Sequence, residues 1–357
     1  MVPTDGAHHR QPEPCDVVVF ASQATRNPLA AQLCQLLVNL DPARSVARVN
    51  ASSSPPSHFA STLNVHAPGL VISTIGTAHP SAQDDAAVQQ IALIDACVSA
   101  GVPRLLLLPL RAECEEAADA NGADGQAWKG VTAVQAQARV LRHLRAVSNP
   151  NSGMEAEAGG GGAVEEHEQE QKQTTSSRQL EWVGIASGTT LDTALLNGQF
   201  GVDMKWASAE VVGNGDSSFG ASSAAWVHRV AAAVVQHWAR LPRNRILHVA
   251  GCVTSPAEVL RCLEEVTGQD YLVSFVAVDE AVDEARKRIE RGFVDRGMEM
   301  LERAFLFDHS RALGAVAAFG DRTAHDLLGL EGESVKDIVG VAVHQFRHLD
   351  TAGCGCG

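Results

Sequence analysis

The chain has 357 residues, 45% of them apolar and 20% charged, a globular composition that excludes a disordered, collagenous or coiled-coil protein. Its 28 Lys and Arg stand against 42 Asp and Glu, and aromatics make up only 4%, with Tyr271 the single tyrosine. A formal charge of −14 with so few stacking side chains argues against a nucleic-acid partner, which needs basic surface and base platforms.

No apolar run approaches the ~18 residues that span a bilayer, and the N-terminus lacks the apolar stretch of a signal peptide. The expectation is a cytoplasmic chain with no membrane partner. Eight cysteines are scattered mostly through apolar segments and form no Cys-x-x-Cys pair, so they read as reduced core residues plus the Cys354-Gly355-Cys356 tail. No metal site is expected.

Residues 1–14 are polar, with Pro3, Pro12 and Pro14, and read as a loose tail. Asp16–Ser22 is an apolar run suited to a buried parallel strand. Asn27-Pro28 then supplies an N-cap and a first-turn proline, and Leu29, Leu33, Leu36, Leu37 and Leu40 recur at helical spacing. A second strand is predicted near Ser45–Val49 and a third at Leu70–Ile75, ending at Gly76. Asp84–Ala100 reads as a helix stopped by Gly101, and Arg104–Leu110 as a fourth strand. Strands alternating with helices predict a doubly wound parallel sheet.

Asn149–Ser177 breaks this rhythm with Gly159–Gly162, six glutamates and Lys172, and reads as a flexible acidic insertion over 149–178. Leu180–Ile185 resumes as a strand, Val211–Asp216 as a strand entering an Asn-Gly turn, Trp226–Trp238 as a helix and Ile246–Ala250 as the last core strand. Ser255-Pro256-Ala257-Glu258 is a capping box opening a helix that closes at Gly268, and Ser334 caps the final helix. The predicted organisation is a Rossmann-type domain over 15–250 and a smaller, mostly α lobe over 251–348 with parts of 190–225. A loose tail covers 349–357.

Leu70–Gly76, Gln89–Cys97, Gly101–Arg104, Trp182–Asp192 and Leu195–Lys205 together resemble, in order and spacing, the NmrA-like, isoflavone-reductase-like branch of atypical short-chain dehydrogenases. Val212–Phe219, Leu263–Gly268 and Leu327–Leu330 extend the resemblance over most of 16–340. It implies an NADP(H)-binding Rossmann domain with a small-molecule cleft between the sheet's C-terminal edge and the small lobe.

The residues that the resemblance places against the cofactor are Gln23, Ala24, Thr25, Arg26 and Asn27 after the first strand. They are joined by Asn50, Ser52 and Ser53 after the second, and by Ser73, Thr74, Ile75 and Gly76 at the third. Gln23, Arg26 and Leu29 stand where the family has glycines that let backbone approach the pyrophosphate, and Arg26 is a charged phosphate ligand in exchange. Asn50 replaces an arginine that reads the 2′-phosphate, with Arg48 two residues earlier on the same strand face.

Leu108-Pro109-Leu110-Arg111 replaces the family's Ser-Glu-Phe-Gly, and Gln137 stands at the position of its acid/base lysine. A glutamine has no accessible pKa, so no catalytic residue is assigned. The Tyr-x-x-x-Lys pair of ordinary short-chain dehydrogenases is absent, because Phe275 stands four residues after Tyr271.

Asp192 fits helix capping as well as catalysis, and His228 and His237 read as core or surface histidines. Three functions stay open: an NADPH-dependent oxidoreductase on a small apolar or aromatic metabolite, a non-redox cyclase or isomerase on the same scaffold, and a dinucleotide-sensing regulator without turnover. The oligomeric state is not readable.

Overall fold

A computed structural model describes residues 15–21, 29–51, 57–76, 80–119, 131–149, 179–308, 315–321 and 323–352. The two predicted tails, the acidic insertion and Lys129 lie outside the described residues, apart from the short stretches at their edges.

The central sheet has six parallel strands: β1 (Val17–Ala21), β2 (Val46–Asn50), β3 (Leu70–Thr74), β4 (Arg104–Leu110), β5 (Glu181–Ala186) and β10 (Arg245–His248). Their spatial order is β10-β5-β4-β3-β1-β2, so the chain reverses direction between β1 and β3. Both faces are covered, which is why these strands are near-continuous apolar runs rather than alternating ones. Val18, Phe20, Val71, Leu105 and Leu107 pack under α2 (Ser57–His66), α3 (Gln83–Ser99) and α5 (Thr132–Ser148). Val17, Val19, Ile72, Leu106, Val183 and Ile185 pack under α1 (Leu29–Leu40) and α7 (Ala224–His237). The second strand lies one residue beyond its predicted span, at the sheet's half-exposed margin.

A separate core belongs to the small lobe. It gathers α6 (Leu191–Leu196), α8 (Pro256–Thr267), α9 (Val278–Glu290), α10 (Val294–Leu306) and α13 (Val335–Ala352) around Phe200, Phe219 and Phe307. This lobe is less purely helical than the sequence predicts. It holds two three-stranded sheets, one of β6 (Thr189–Thr190), β9 (Phe219–Ser222) and β11 (Cys252–Thr254), the other of β7 (Val202–Asp203), β8 (Ser208–Val212) and β12 (Leu272–Val276). Most of these strands are too short to show a period, and β12 leaves Leu272 and Phe275 exposed, which hides the alternation a half-buried strand would carry.

The predicted caps take shape. Ser255 Oγ accepts from the Glu258 amide at 3.3 Å, but the Glu258 carboxylate takes the Thr254 hydroxyl at 2.9 Å. Gly268 closes the helix at φ 70°. In the turn after β8 the positive φ angles belong to Gly213 and Gly215, flanking Asn214. The six described cysteines are unpaired, and burial pushes the Cys97 and Cys114 thiols up, which makes them inert.

His228 is buried on α7 with its Nε2 unpartnered, and burial also pulls the pKa of His248 down. A histidine with a folded-state pKa below 6.5 binds its proton more weakly in the native state, so protonation favours unfolding. Stability from these rings is therefore full above about pH 6.5 and falls as the pH drops below it. Melting scans between pH 7 and 5 should show His228→Leu losing less stability on acidification than the native chain. Equal slopes would refute the assignment.

Candidate functional site

The parallel register brings six strand ends to one edge. Ala21 is aligned with Asn50 and with Thr74, Leu110 with Ala186, and Ala186 with His248. In open α/β sheets ligands bind beyond this edge at the reversal point, here the crevice between β1 and β3. Ser73, Thr74 and Ile75 are buried there, and Thr74 Oγ1 donates to the Phe20 carbonyl at 3.0 Å, tying the two strands together. Ser73 Oγ accepts from the Ile75 amide at 3.4 Å.

At Gly76 a side chain would meet no atom of the described residues within 4 Å. Asn50 ends β2 half-buried, and the next amide, of Ala51, donates to the Ala21 carbonyl at 2.7 Å. Arg48 lies on the same face of β2, close enough for its charge to act on Cys34 of α1. Gln23, Ala24, Thr25, Arg26 and Asn27, and likewise Ser52 and Ser53, lie outside the described residues. One contributor went unnoticed in the sequence: Gln90 of α3 is buried and donates from Nε2 to the Ile75 carbonyl at 2.9 Å, fixing the end of β3.

Past β4 the chain presents Arg111, and three elements meet on it. Gln137 of α5 accepts from its backbone N–H at 2.7 Å through Oε1. Glu302 of α10 accepts from its guanidinium Nη2 at 2.5 Å, which holds Arg111 firmly protonated. The second oxygen of Glu302 is buried without a partner. At the exit of β5, Ser187 is fully buried, its carbonyl takes the Ser222 hydroxyl at 2.6 Å, and its own Oγ has no partner. His248 ends β10 edge-on to Phe319 and within reach of the Glu113, Glu115 and Asp321 charges.

Asp192 does a structural job. It is buried, accepts from the Ala224 amide at 3.1 Å through each oxygen and from the Thr193 amide at 2.8 Å, and so satisfies the first turn of α7. Burial pushes its carboxyl above the usual range. Glu333 serves the same helix start, accepting from the Ser223 amide and hydroxyl at 2.9 and 2.7 Å. A cavity of about 510 Å³ lined by Arg145, Ser148, Asn149, Gln179, Trp182 and Asn244 sits at the opposite, N-terminal end of β5 and β10, away from this edge. No cluster among the described residues is built to hold a metal, and no described helix is long and apolar enough to cross a membrane.

Fold and edge define a Rossmann-type α/β protein with a small lobe set over the C-terminal ends of its strands. No family model matches the chain. A curated relative, oxidoreductase poxI of Penicillium oxalicum, is 24% identical over 159 residues, which is 44% of this chain and 50% of that protein. The chain thus spans about half the length of the curated relative it matches.

Two solved structures are similar over nearly their whole length. The NADPH-dependent quinone oxidoreductase of Escherichia coli, complexed with NADPH, aligns with a TM-score of 0.57 at 13% identity over 92% of this chain and 99% of that one. The triphenylmethane reductase of a Citrobacter species, complexed with NADP(H), aligns with a TM-score of 0.56 at 13% identity over 91% and 99%. At such identities the likeness shows the Rossmann-type fold that the two proteins share with this chain.

Proposed function

We propose that this chain is an NADPH-dependent oxidoreductase of the NmrA-like kind, acting on a small apolar or aromatic metabolite. The observation that carries the reading is the reversal point between β1 and β3, with Ser73, Thr74, Ile75 and Gly76 at its edge and Asn50 ending the neighbouring β2. When bound, NADPH supplies a hydride. Gln23–Asn27 would meet its phosphates, Arg26 above all, and Asn50, Ser52, Ser53 and Arg48 its adenosine ribose. The reductases of similar fold support the reading.

A second reading, dinucleotide binding without turnover, is favoured by one observation. Gln137 supplies no proton, and its amide oxygen is committed to Arg111.

Calorimetry and melting scans with NADPH and NADH decide between them. A cofactor at about 100 times its dissociation constant should stabilise the fold by about 2.7 kcal/mol. Arg26→Ala should weaken that binding by about tenfold or more, as the loss of a charge-assisted phosphate contact does. No stabilisation by millimolar cofactor would refute both readings, and binding without NADPH consumption across a panel of quinones and enones would favour the second.

A further inference from the structure

We propose that His344 and His348, on the exposed side of α13, form a zinc site together with Cys354 and Cys356 of the C-terminal tail. The site lies away from the sheet edge, and nothing in it depends on the dinucleotide reading.

Helix α13 turns Val335, Ile338, Val339, Ala342 and Val343 into the small-lobe core. His344 and His348 are exposed on its other side, four residues apart, so their rings are neighbours. The ring centres stand 4.4 Å apart with their planes at 74°. Two imidazoles sharing a zinc ion bind it at about 2.0–2.1 Å, which sets their ring centres roughly 5 Å apart. The pair therefore needs little movement to chelate. Such a His-x-x-x-His pair is the histidine half of a four-ligand zinc site, and it calls for two further donors.

The sequence supplies them. Position 352 falls on the same helical face as 344 and 348, and α13 ends there, so the chain beyond it starts from the histidine side. The midpoint of the two histidines lies about 9 Å back along the axis. Gly353–Cys356 can span about 13 Å when extended, which brings Cys354-Gly355-Cys356 within reach. Both cysteines lie outside the described residues, and their reach follows from chain length alone.

Two thiolates and two imidazoles in a tetrahedron select zinc. Each thiol gives its proton to solvent as its sulfur binds, and the two thiolate charges cancel that of the ion. The six described cysteines are buried or half-buried, so they compete poorly. The described residues hold no group of three ligands because the two histidines are only half of this set.

The untagged full chain, kept reduced and stripped with EDTA, is titrated with cobalt(II) and then with zinc. One cobalt per chain should bind, with the intense visible bands of a tetrahedral ion and a near-ultraviolet thiolate-to-cobalt band. Zinc should displace it and protect Cys354 and Cys356 from iodoacetamide, as read by mass spectrometry. His344→Ala, and separately the double variant Cys354→Ser with Cys356→Ser, should weaken zinc by about a hundredfold or more. Even a group that merely bonds to a zinc ligand is worth about 10–100-fold. Absence of stoichiometric zinc, a cobalt spectrum without the thiolate band, or an affinity unchanged in either variant overturns the proposal. If a variant fails its melting control, the native spectrum and the protection pattern decide, and protection of other cysteines instead overturns it.

Discussion

Gly188→Ala is expected to destabilise the chain by about 3–5 kcal/mol, adding left-handed backbone strain to a steric clash. Gly188 has φ 71°, and a Cβ there would come within 2.5 Å of the Gly220 carbonyl carbon and 3.1 Å of the Ala221 nitrogen. These atoms belong to the backbone of β9, which cannot swing aside as a flexible side chain can. The next residue, Thr189, pairs with Ala221, so the close approach is where the chain leaves the central sheet and joins the small-lobe sheet. Moving either strand would also disturb the bond from the Ser222 hydroxyl to the Ser187 carbonyl.

Gly213→Ala isolates the conformational part. Its φ is 76°, but among the described residues the nearest atom to a Cβ is the Phe307 carbonyl oxygen at 3.8 Å, so only about 1 kcal/mol should be lost. Urea unfolding of the two variants makes the comparison. Equal losses would show that the β9 backbone yields and that the steric argument is wrong.

The parts legible in the sequence are those whose physics is local. Parallel strands buried on both faces must be apolar throughout, and Leu105, Leu106, Leu107 and Leu108 announce such a strand without any partner being known. Ser255 and Ser334 each accept from the amide three residues ahead, of Glu258 and Asp337, so both cap their helices, while the Glu258 carboxylate of the expected box turns to Thr254. The strand-to-helix alternation then leaves few topologies, and the doubly wound sheet is one of them.

The candidate site is legible only along β2 and β3, where Asn50, Ser73, Thr74, Ile75 and Gly76 follow directly from strand ends. Arg111 and Glu302 are 191 residues apart, and nothing in either local sequence signals the other. Gln90 is buried on the Ile75 carbonyl 15 positions away, a contact that its local sequence does not announce. Asp192 carried the right chemistry for a cap, but it serves the helix 32 residues downstream. Contacts of that kind follow from the packing of the lobes, and a single chain does not display them.

Trp226→Ala should cost a further large sum, about 3–5 kcal/mol, through the cavity left by an indole that is fully buried between α7 and the sheet. The indole also has a polar task. Its Nε1 donates to the Val249 carbonyl at 2.9 Å, while His325, whose ring lies 5.8 Å from it centre to centre, bonds the next carbonyl, of Ala250, at 2.8 Å. Two consecutive carbonyls just past β10 are thus held by the two rings. Gly251 follows, with its amide on Ser222 and no room for a side chain beside Glu333.

Trp226→Phe separates the two contributions. It keeps most of the apolar volume but leaves the Val249 carbonyl buried without its donor, which should cost about 1–3 kcal/mol. The order native, then phenylalanine, then alanine is expected in urea unfolding, with faster amide exchange at Gly251 in both variants. A phenylalanine variant as stable as the native chain would mean that Trp226 acts through volume alone and that the β10 exit is held without it.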